Sequence, residues 1–416
     1  MEKRVLIVVQ NLPVPFDRRV WLEATTLARA GWRVSVISPK AKGYDRSHEI
    51  IEDVDVRRYP VPFDAASKIG FAAEFIWCFL ATAWLSLKVA LAGRGFDVLH
   101  VCNPPETYFP LARFWKLFGK VFLFDHHDLS PEMYAAKFGT DGGMLMRALL
   151  WMERATFRAA DLVVTTNESH REIAMARGGK RASDIFVVRS GPDLARFARH
   201  PRDPALAQGK RFVLVYLGEI CRQDGVDHLV RAVKILARDM GRTDFHCIFV
   251  GGGPHQPAIA AYAREEGLAD VTTFTGRVSD DMLCRVLSSA DIGVDPDPKN
   301  PWSDKSTMNK VVEYMYFGLP VVAYDLKETR ASAGDAGVYA RANDERALAG
   351  AIAALLDEPE RRARMGETGR RRVEERLAWE HSAPVLLSAY DRAAAIAAAR
   401  QNPAGAGAPE ATKESP

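Results

Sequence analysis

Asp304–Arg330 reads DKSTMNKVVEYMYFGLPVVAYDLKETR: a polar loop, a short helix, a tight turn and a buried strand. Asp304 or Ser306 can cap the helix, because either side-chain oxygen can accept from an N–H of the first turn. Met308, Val311, Val312 and Met315 fall on one apolar face. Ser306, Thr307, Asn309, Lys310 and Glu313 supply hydroxyl, amide, ammonium and carboxylate groups around the same helix start. Gly318 closes the helix and Pro320 opens the strand. The positive end of the helix dipole, backed by a lysine, suits phosphate, and a glutamate one turn on suits sugar hydroxyls. Taken without its neighbours, the same edge is equally a solvated helix face of any α/β protein.

The 416 residues exceed one ordinary core, and two domains fit the length. Lys and Arg number 56 against 53 Asp and Glu, a balance too mild to argue for nucleic acid. Five scattered cysteines without CxxC spacing suggest neither a disulfide frame nor a zinc site, and fit a reducing cytoplasm. The start MEKRVLIVVQN reads as a first strand, since its apolar run ends at Val9 and no cleavage site follows. From Ile69 to Leu91 the chain approaches spanning length, but Glu74 and Lys88 lie inside it. A buried or membrane-surface helix is expected there.

In the first half, strands at Arg4–Val9, Arg33–Ile37, Asp97–Val101 and Val121–Phe124 alternate with helical patterns, which implies βαβ units and a parallel sheet. Ligands then belong at the carboxyl ends of the strands. Asp17 is a candidate N-cap, and Arg18 and Arg19 in the first turn oppose the helix dipole. They need another reason to be present: binding an anion, or a plain surface salt bridge. After Phe124 comes DHHDLSPEMY, where one histidine facing the ligand and one packed or hydrogen-bonded is the sensible arrangement. Adjacent histidines project differently, which disfavours a metal. Periodicity is lost after Arg189, where Pro and charge accumulate.

The second half restarts the pattern. Phe212–Leu217 runs into Gly218, and Phe245–Val250 breaks at Gly251-Gly252-Gly253-Pro254, where glycines let the backbone approach a phosphate. Neither half carries a GxGxxG dinucleotide fingerprint. The ordered runs IFVVRSGPDLARF, YLGEICRQDGVDHLVRAV, HCIFVGGGP, VTTFTGRVSDDML, SADIGVDP, STMNKVVEYMYFGLPVVAYD and RLAWEHSAPVLLSAYDRA resemble glycosyltransferase family 4, and within it the bacterial O-antigen and exopolysaccharide transferases. DVLHVCNPPETYFPLA and FLFDHHDLSPE extend the likeness into the first half.

That resemblance implies a GT-B fold of two Rossmann-like domains with parallel sheets facing a cleft. The expected boundaries are residues 1–192 for the acceptor side, a linker at 193–209, a donor domain at 210–378, a helix at 379–400 crossing back, and a disordered tail at 401–416. It implies retaining transfer, without cofactor or metal, of a sugar, with N-acetylated and deoxyamino sugars among those that such relatives handle, from a UDP-type nucleotide-sugar donor to a lipid-linked or polysaccharide acceptor. Gly251–Pro254 would meet the diphosphate, Arg277 and Val278 the base, and Glu313 the ribose; His127, beside Asp128, would lie near the transferred sugar, with His126 as the competing register. The family's usual Arg and Lys are replaced by Glu219 and Gln223-Asp224, and Lys305 stands where its first Glu belongs. Positive charge for the leaving diphosphate then falls to Lys310, with Arg222 as a second candidate. A sugar-nucleotide 2-epimerase or a non-catalytic binding subunit are the alternatives. The arginines of 361–372 make a cationic helix face that suits anionic membrane, so a cytoplasmic protein peripheral to the inner face of the plasma membrane is expected.

Overall fold

The structure is a computed structural model that describes residues 2–41, 43–62, 68–93 and 95–402. The tail expected to be disordered lies outside the described residues from 403 on. The chain forms two compact units, one of Met1–Ser130, Gly142–Val188 and Ala383–Pro416, the other of Pro131–Asp141 and Arg189–Ser382.

In the first, β1 (Arg4–Val8), α1 (Arg18–Arg29), β2 (Arg33–Pro39), β3 (His48–Ile51), β4 (Val54–Tyr59), α2 (Lys68–Leu91) and β5 (Val98–Cys102) come first. They are followed by α3 (Phe109–Lys116), β6 (Val121–His126), α4 (Ser130–Phe138), which counts with the second unit from Pro131 on, α5 (Gly143–Ala159), β7 (Leu162–Thr165), α6 (Glu168–Ala176) and β8 (Ile185–Val187). The sheet order is β3-β4-β2-β1-β5-β6-β7-β8, parallel except for the β3/β4 hairpin. Central strands read as continuous apolar runs because both faces are covered: every residue of β5 and β6 is buried. Asp17 caps α1 as expected, its side chain accepting from Val20 N at 3.1 Å.

The β3/β4 hairpin is absent from the sequence reading. Its turn residues Glu52 and Asp53 both take positive φ, 45° and 64°, so a hairpin turn usually signalled by Asn-Gly is written here in carboxylates.

The second unit contains β9 (Phe212–Leu217), α7 (Val226–Lys234), β10 (Phe245–Val250), α8 (Gln256–Glu265), β11 (Thr272–Gly276), α9 (Asp280–Ser289) and β12 (Ile292–Asp295). Then come α10 (Asn309–Tyr316), β13 (Val321–Tyr324), α11 (Lys327–Ala333), β14 (Gly337–Ala340), α12 (Glu345–Asp357), α13 (Pro359–Arg372) and α14 (Trp379–Gln401). Its sheet is all parallel, in the order β11-β10-β9-β12-β13-β14, the doubly wound arrangement. Both faces are filled, one by Leu229, Val233 and Ile352 against Leu214 and Cys247, the other by Val311, Met315 and Leu287 against Val215 and Val321.

The expected linker at 193–209 is instead a packed part of this unit. Phe197 lies 5.9 Å from the Tyr316 ring and 5.8 Å from Phe317, and Ala207 joins the core beside α9 and α10. Its apolar side chains are too few and irregular to show periodicity, yet Leu194, Phe197 and Leu206 are half-buried against this core and Ala207 is buried in it. The closing helix α14 counts with the first unit from Ala383 on, where Tyr390 is fully buried, 5.0 Å from the Trp32 ring.

Candidate active site

In the second unit the strand order reverses between β9 and β12, and a ligand of a doubly wound sheet sits outside the carboxyl ends at such a reversal. The glycine turns are built for that place. A Cβ on Gly251, at φ +135°, would come 1.8 Å from the Gly218 carbonyl oxygen, and one on Gly253 would come 2.5 Å from that of Ile220. The loops after β9 and β10 therefore interlock: Ile220 N donates to Gly252 O at 2.9 Å, and His255 N donates to Ile220 O at 3.1 Å. Pro254, one residue on, is exposed.

Lys310 stands in the first turn of α10 below these loops. Its Nζ is 3.3 Å from Asp295 Oδ1, ion-paired with Asp297, and 5.0 Å from the Tyr216 ring. Lys310 has 12% of its side chain exposed, Asp295 none and Asp297 1%. Burial alone would lower the Lys310 pKa, but Asp297, Tyr216 and Asp295 outweigh it and hold the ammonium charged, above the usual lysine range. Burial and the neighbouring Asp295 push Asp297 the other way, toward its neutral form. Burial likewise raises Asp224. The cation expected at Lys310 is present, and its charge is shared with two buried carboxylates. Asp295 and Asp297, absent from the sequence reading, were signalled by GVDPD at a strand end.

The capping expectation is also corrected. α10 begins at Asn309 with Met308 before it, and no side chain caps it. Ser306 Oγ donates to Trp302 O at 2.8 Å, and Asp304 Oδ1 accepts from Lys327 N at 2.9 Å. The reason is a 3-10 turn at Ser303–Lys305, fastened by Asn300, which turns Ser306 back to Trp302 and leaves Asp304 on the start of α11. Glu313 and Thr307 are half-buried and Asn309 is exposed. Arg277 and Arg222 are exposed, whereas Val278 packs against the core beside α9.

In the first unit the histidine pair separates by strand alternation. His126 ends β6 fully buried, its ring 4.9 Å from Phe157. His127 turns the other way, 15% exposed, and its Nδ1 donates to Asp125 Oδ2 at 2.9 Å. Asn103 fixes this turn: its Oδ1 accepts from His127 N at 2.9 Å and Asp128 N at 3.1 Å, while its Nδ2 donates to Asp128 O at 2.7 Å. Burial would lower His127, but Asp125 outweighs it and raises the imidazole to about 9.

Arg19 is bonded inside the first unit. Its guanidinium donates twice to Asp125, at 2.9 and 3.0 Å, once to Val188 O at 2.9 Å, and lies 3.1 Å from Glu23. Only 8% of it is exposed, so it forms a buried ion pair and not the surface salt bridge expected, and Arg18 beside it is exposed. Burial would raise Asp125, but Arg19 and His127 hold it well below the usual carboxylate range. Burial and Asp125 push Glu23 up to about 7. Glu23, His100, Cys102 and Asp125 bring one ligand-type atom each within 4.8 Å of the others, and the Arg19 guanidinium supplies the counter-charge there. Asp125 stands at the strand end where the sequence places it, whereas Glu23 and Asn103 escaped the sequence reading because a buried network of this kind joins separate segments.

Comparison with known proteins agrees with both units. Residues 17–191 match the model described as glycosyl transferase 4-like domain, and 211–358 that of glycosyl transferases group 1. A 2-deoxystreptamine glucosyltransferase of Streptomyces kanamyceticus is 28% identical over 58% of this chain and 63% of its own, so the chain spans under two thirds of that relative. A glycogen synthase of Mycobacterium tuberculosis is 25% identical over 90% of each. Among solved structures, sucrose-phosphate synthase from Thermosynechococcus elongatus superposes with a TM-score of 0.75 at 20% identity, covering 95% of this chain and 100% of its own. Anabaena HepE in complex with UDP gives 0.69 at 16% identity, covering 96% and 100%. Two interlocked glycine turns at a strand-order reversal, a lysine–carboxylate cluster beneath them and these matches lead to one conclusion: the chain belongs to glycosyltransferase family 4 and is a glycosyltransferase of the GT-B fold.

Proposed function

We infer that the protein is a retaining glycosyltransferase that takes a sugar from a UDP-linked donor and passes it to a lipid-linked or polysaccharide acceptor of cell-surface glycan synthesis. The observation that carries this is the placing of Lys310 and the uncapped start of α10 at the strand-order reversal, beneath the Gly218 and Gly251–Gly253 loops. A diphosphate meets an ammonium and a helix N-terminus there. Glu313 follows one turn later for the ribose hydroxyls, and Arg277 with Val278 for the base. HepE carries UDP in its complex, which supports the uridine donor.

In the first unit, Asp125 keeps His127 protonated at neutral pH, so His127 acts as a hydrogen-bond donor to a sugar oxygen rather than as a base. This scheme needs no bound metal, and excess chelator should leave turnover unchanged. The decisive experiment incubates the full chain with a panel of nucleotide sugars and a polyprenyl-linked acceptor, reading released nucleotide and the anomeric configuration of the product. Release from a uridine donor with retention supports the reading; inversion, or no release from any donor, overturns it.

A further inference from the structure

α2 is built the wrong way round for a soluble protein. Its most buried positions are Cys78, Thr82, Ser86 and Val89; Thr82 Oγ1 lies 3.3 Å from the Tyr108 hydroxyl, and Ser86 Oγ accepts from Trp115 Nε1 at 3.1 Å. The opposite edge is apolar and exposed: Trp77 37%, Leu80 57%, Trp84 57%, Leu87 36%, Leu91 78%. These positions recur every three and four residues, so they form one stripe about 21 Å long. The helix lies along β2 and β4 and covers the core of this unit, which fits a helix resting in a membrane surface and not one that spans it.

The neighbouring helices extend the stripe. On and just after α3, Phe114, Leu117 and Phe118 are 46%, 82% and 60% exposed. On α5, Trp151 is 59% exposed, edge-on to Phe109 of α3 at 5.5 Å. Arg147, Arg154 and Arg158 flank Trp151 at helical spacing, all exposed. Lys88 and Arg113 are exposed as well, lying over the Trp84 and Phe109 rings at 5.2 and 5.4 Å. Among the described residues none of these five cations forms a salt bridge, and Glu153, the carboxylate of α5, is buried against Arg177. Aromatic rings, aliphatic side chains and basic groups that outnumber the half-buried Glu74 near the start of α2 make up the chemistry that a bilayer with anionic headgroups recognises.

We propose that the composite face of α2, α3 and α5 seats the protein on an anionic lipid surface, with the Trp84–Leu91 stripe entering the acyl boundary and the arginines of α5 meeting headgroup phosphates. It rests on the proposed lipid-linked acceptor only for its purpose; vesicle binding is read without donor, so failure of one and failure of the other are separate results. The test is co-sedimentation of the full chain with vesicles of phosphatidylethanolamine and phosphatidylglycerol, against vesicles of phosphatidylcholine alone. Binding to the first, weakened by 0.5 M salt (roughly a Debye length under 5 Å), is expected.

Arg154→Gln with Arg158→Gln should weaken it about 30-fold, from roughly a factor of five per cation. Leu80→Gln with Trp84→Gln should weaken it at least about 10-fold while leaving thermal unfolding and turnover of a short soluble acceptor unchanged, since both residues are over half exposed. Equal sedimentation with both vesicle types, absence of binding, or a protein dimer abolished by the Leu80/Trp84 pair in place of lipid binding would each overturn the proposal.

Discussion

Replacing Lys310 by Met tests the reading of the donor site most directly. The substitution keeps the chain length and apolar stem but removes the ammonium from between Asp295 and Asp297, which are 0% and 1% exposed. Breaking a buried pair from one side costs about 3–5 kcal/mol, because the remaining charge has lost its counterpart. Asp297 is already pushed toward its neutral form by burial and by Asp295, so it takes up a proton and the cost falls near the lower end, about 3 kcal/mol. For a unit of this size that is a fall in Tm of roughly 6–12 °C. Adding Asp297→Asn removes the orphaned carboxylate and should return more than half of the loss. Donor binding should not return with it, because the ammonium that meets the diphosphate is still absent. Differential scanning calorimetry of wild type, Lys310→Met, Asp297→Asn and the double variant, paired with uridine diphosphate titration of each, measures both quantities. A loss below about 2 °C in the single variant, or a double variant no more stable than the single, would refute the charge argument. Restored nucleotide affinity in the double variant would refute the role of Lys310 in donor binding.

Other outcomes follow from the same geometry. Gly251→Ala, with a Cβ 1.8 Å from the Gly218 oxygen at φ +135°, should destabilise by about 3 kcal/mol or more, whereas Gly252→Ala, whose nearest neighbour is 3.9 Å away, should be tolerated; equal melting temperatures would contradict the interlocked loops. His127 is raised from 6.5 to about 9, so its contribution, up to about 3 kcal/mol, is fully present below pH 6.5 and lost as pH climbs through about 9; urea unfolding from pH 6 to 9.5 should show this fall, and His127→Gln should flatten it. Asp17→Ala removes the bond to Val20 N and should cost about 1 kcal/mol, read from the same unfolding curves.

Much of this molecule is legible in its sequence because the information is local. Continuous apolar runs such as Phe245–Val250 can only be strands covered on both sides, and the glycines that follow β9 and β10 mark where the backbone is about to turn tightly. The helix from Asn309 to Tyr316, with Val311, Val312 and Met315 on its buried side, shows its period directly. The choice between His126 and His127 needs only the alternation of a strand once its end is known.

What the sequence left open depends on partners far along the chain. Arg19 resembles an anion-binding arginine until Asp125, 106 positions later, takes two of its bonds, and Lys310 resembles a free cation until the end of β12 and the loop after it deliver Asp295 and Asp297 beside it. A charged side chain is defined by what surrounds it, and burial multiplies the effect of each neighbour. The same holds for α2, whose letters say apolar helix and whose packing alone decides that its tryptophans and leucines face outward. Sequence therefore determined the two doubly wound sheets and the places where their loops carry chemistry, because hydrophobic period and turn residues are properties of short stretches. Tertiary structure decided which charges are spent inside the protein and which remain for a ligand, because pairing across distant segments is set only when the strands are laid side by side.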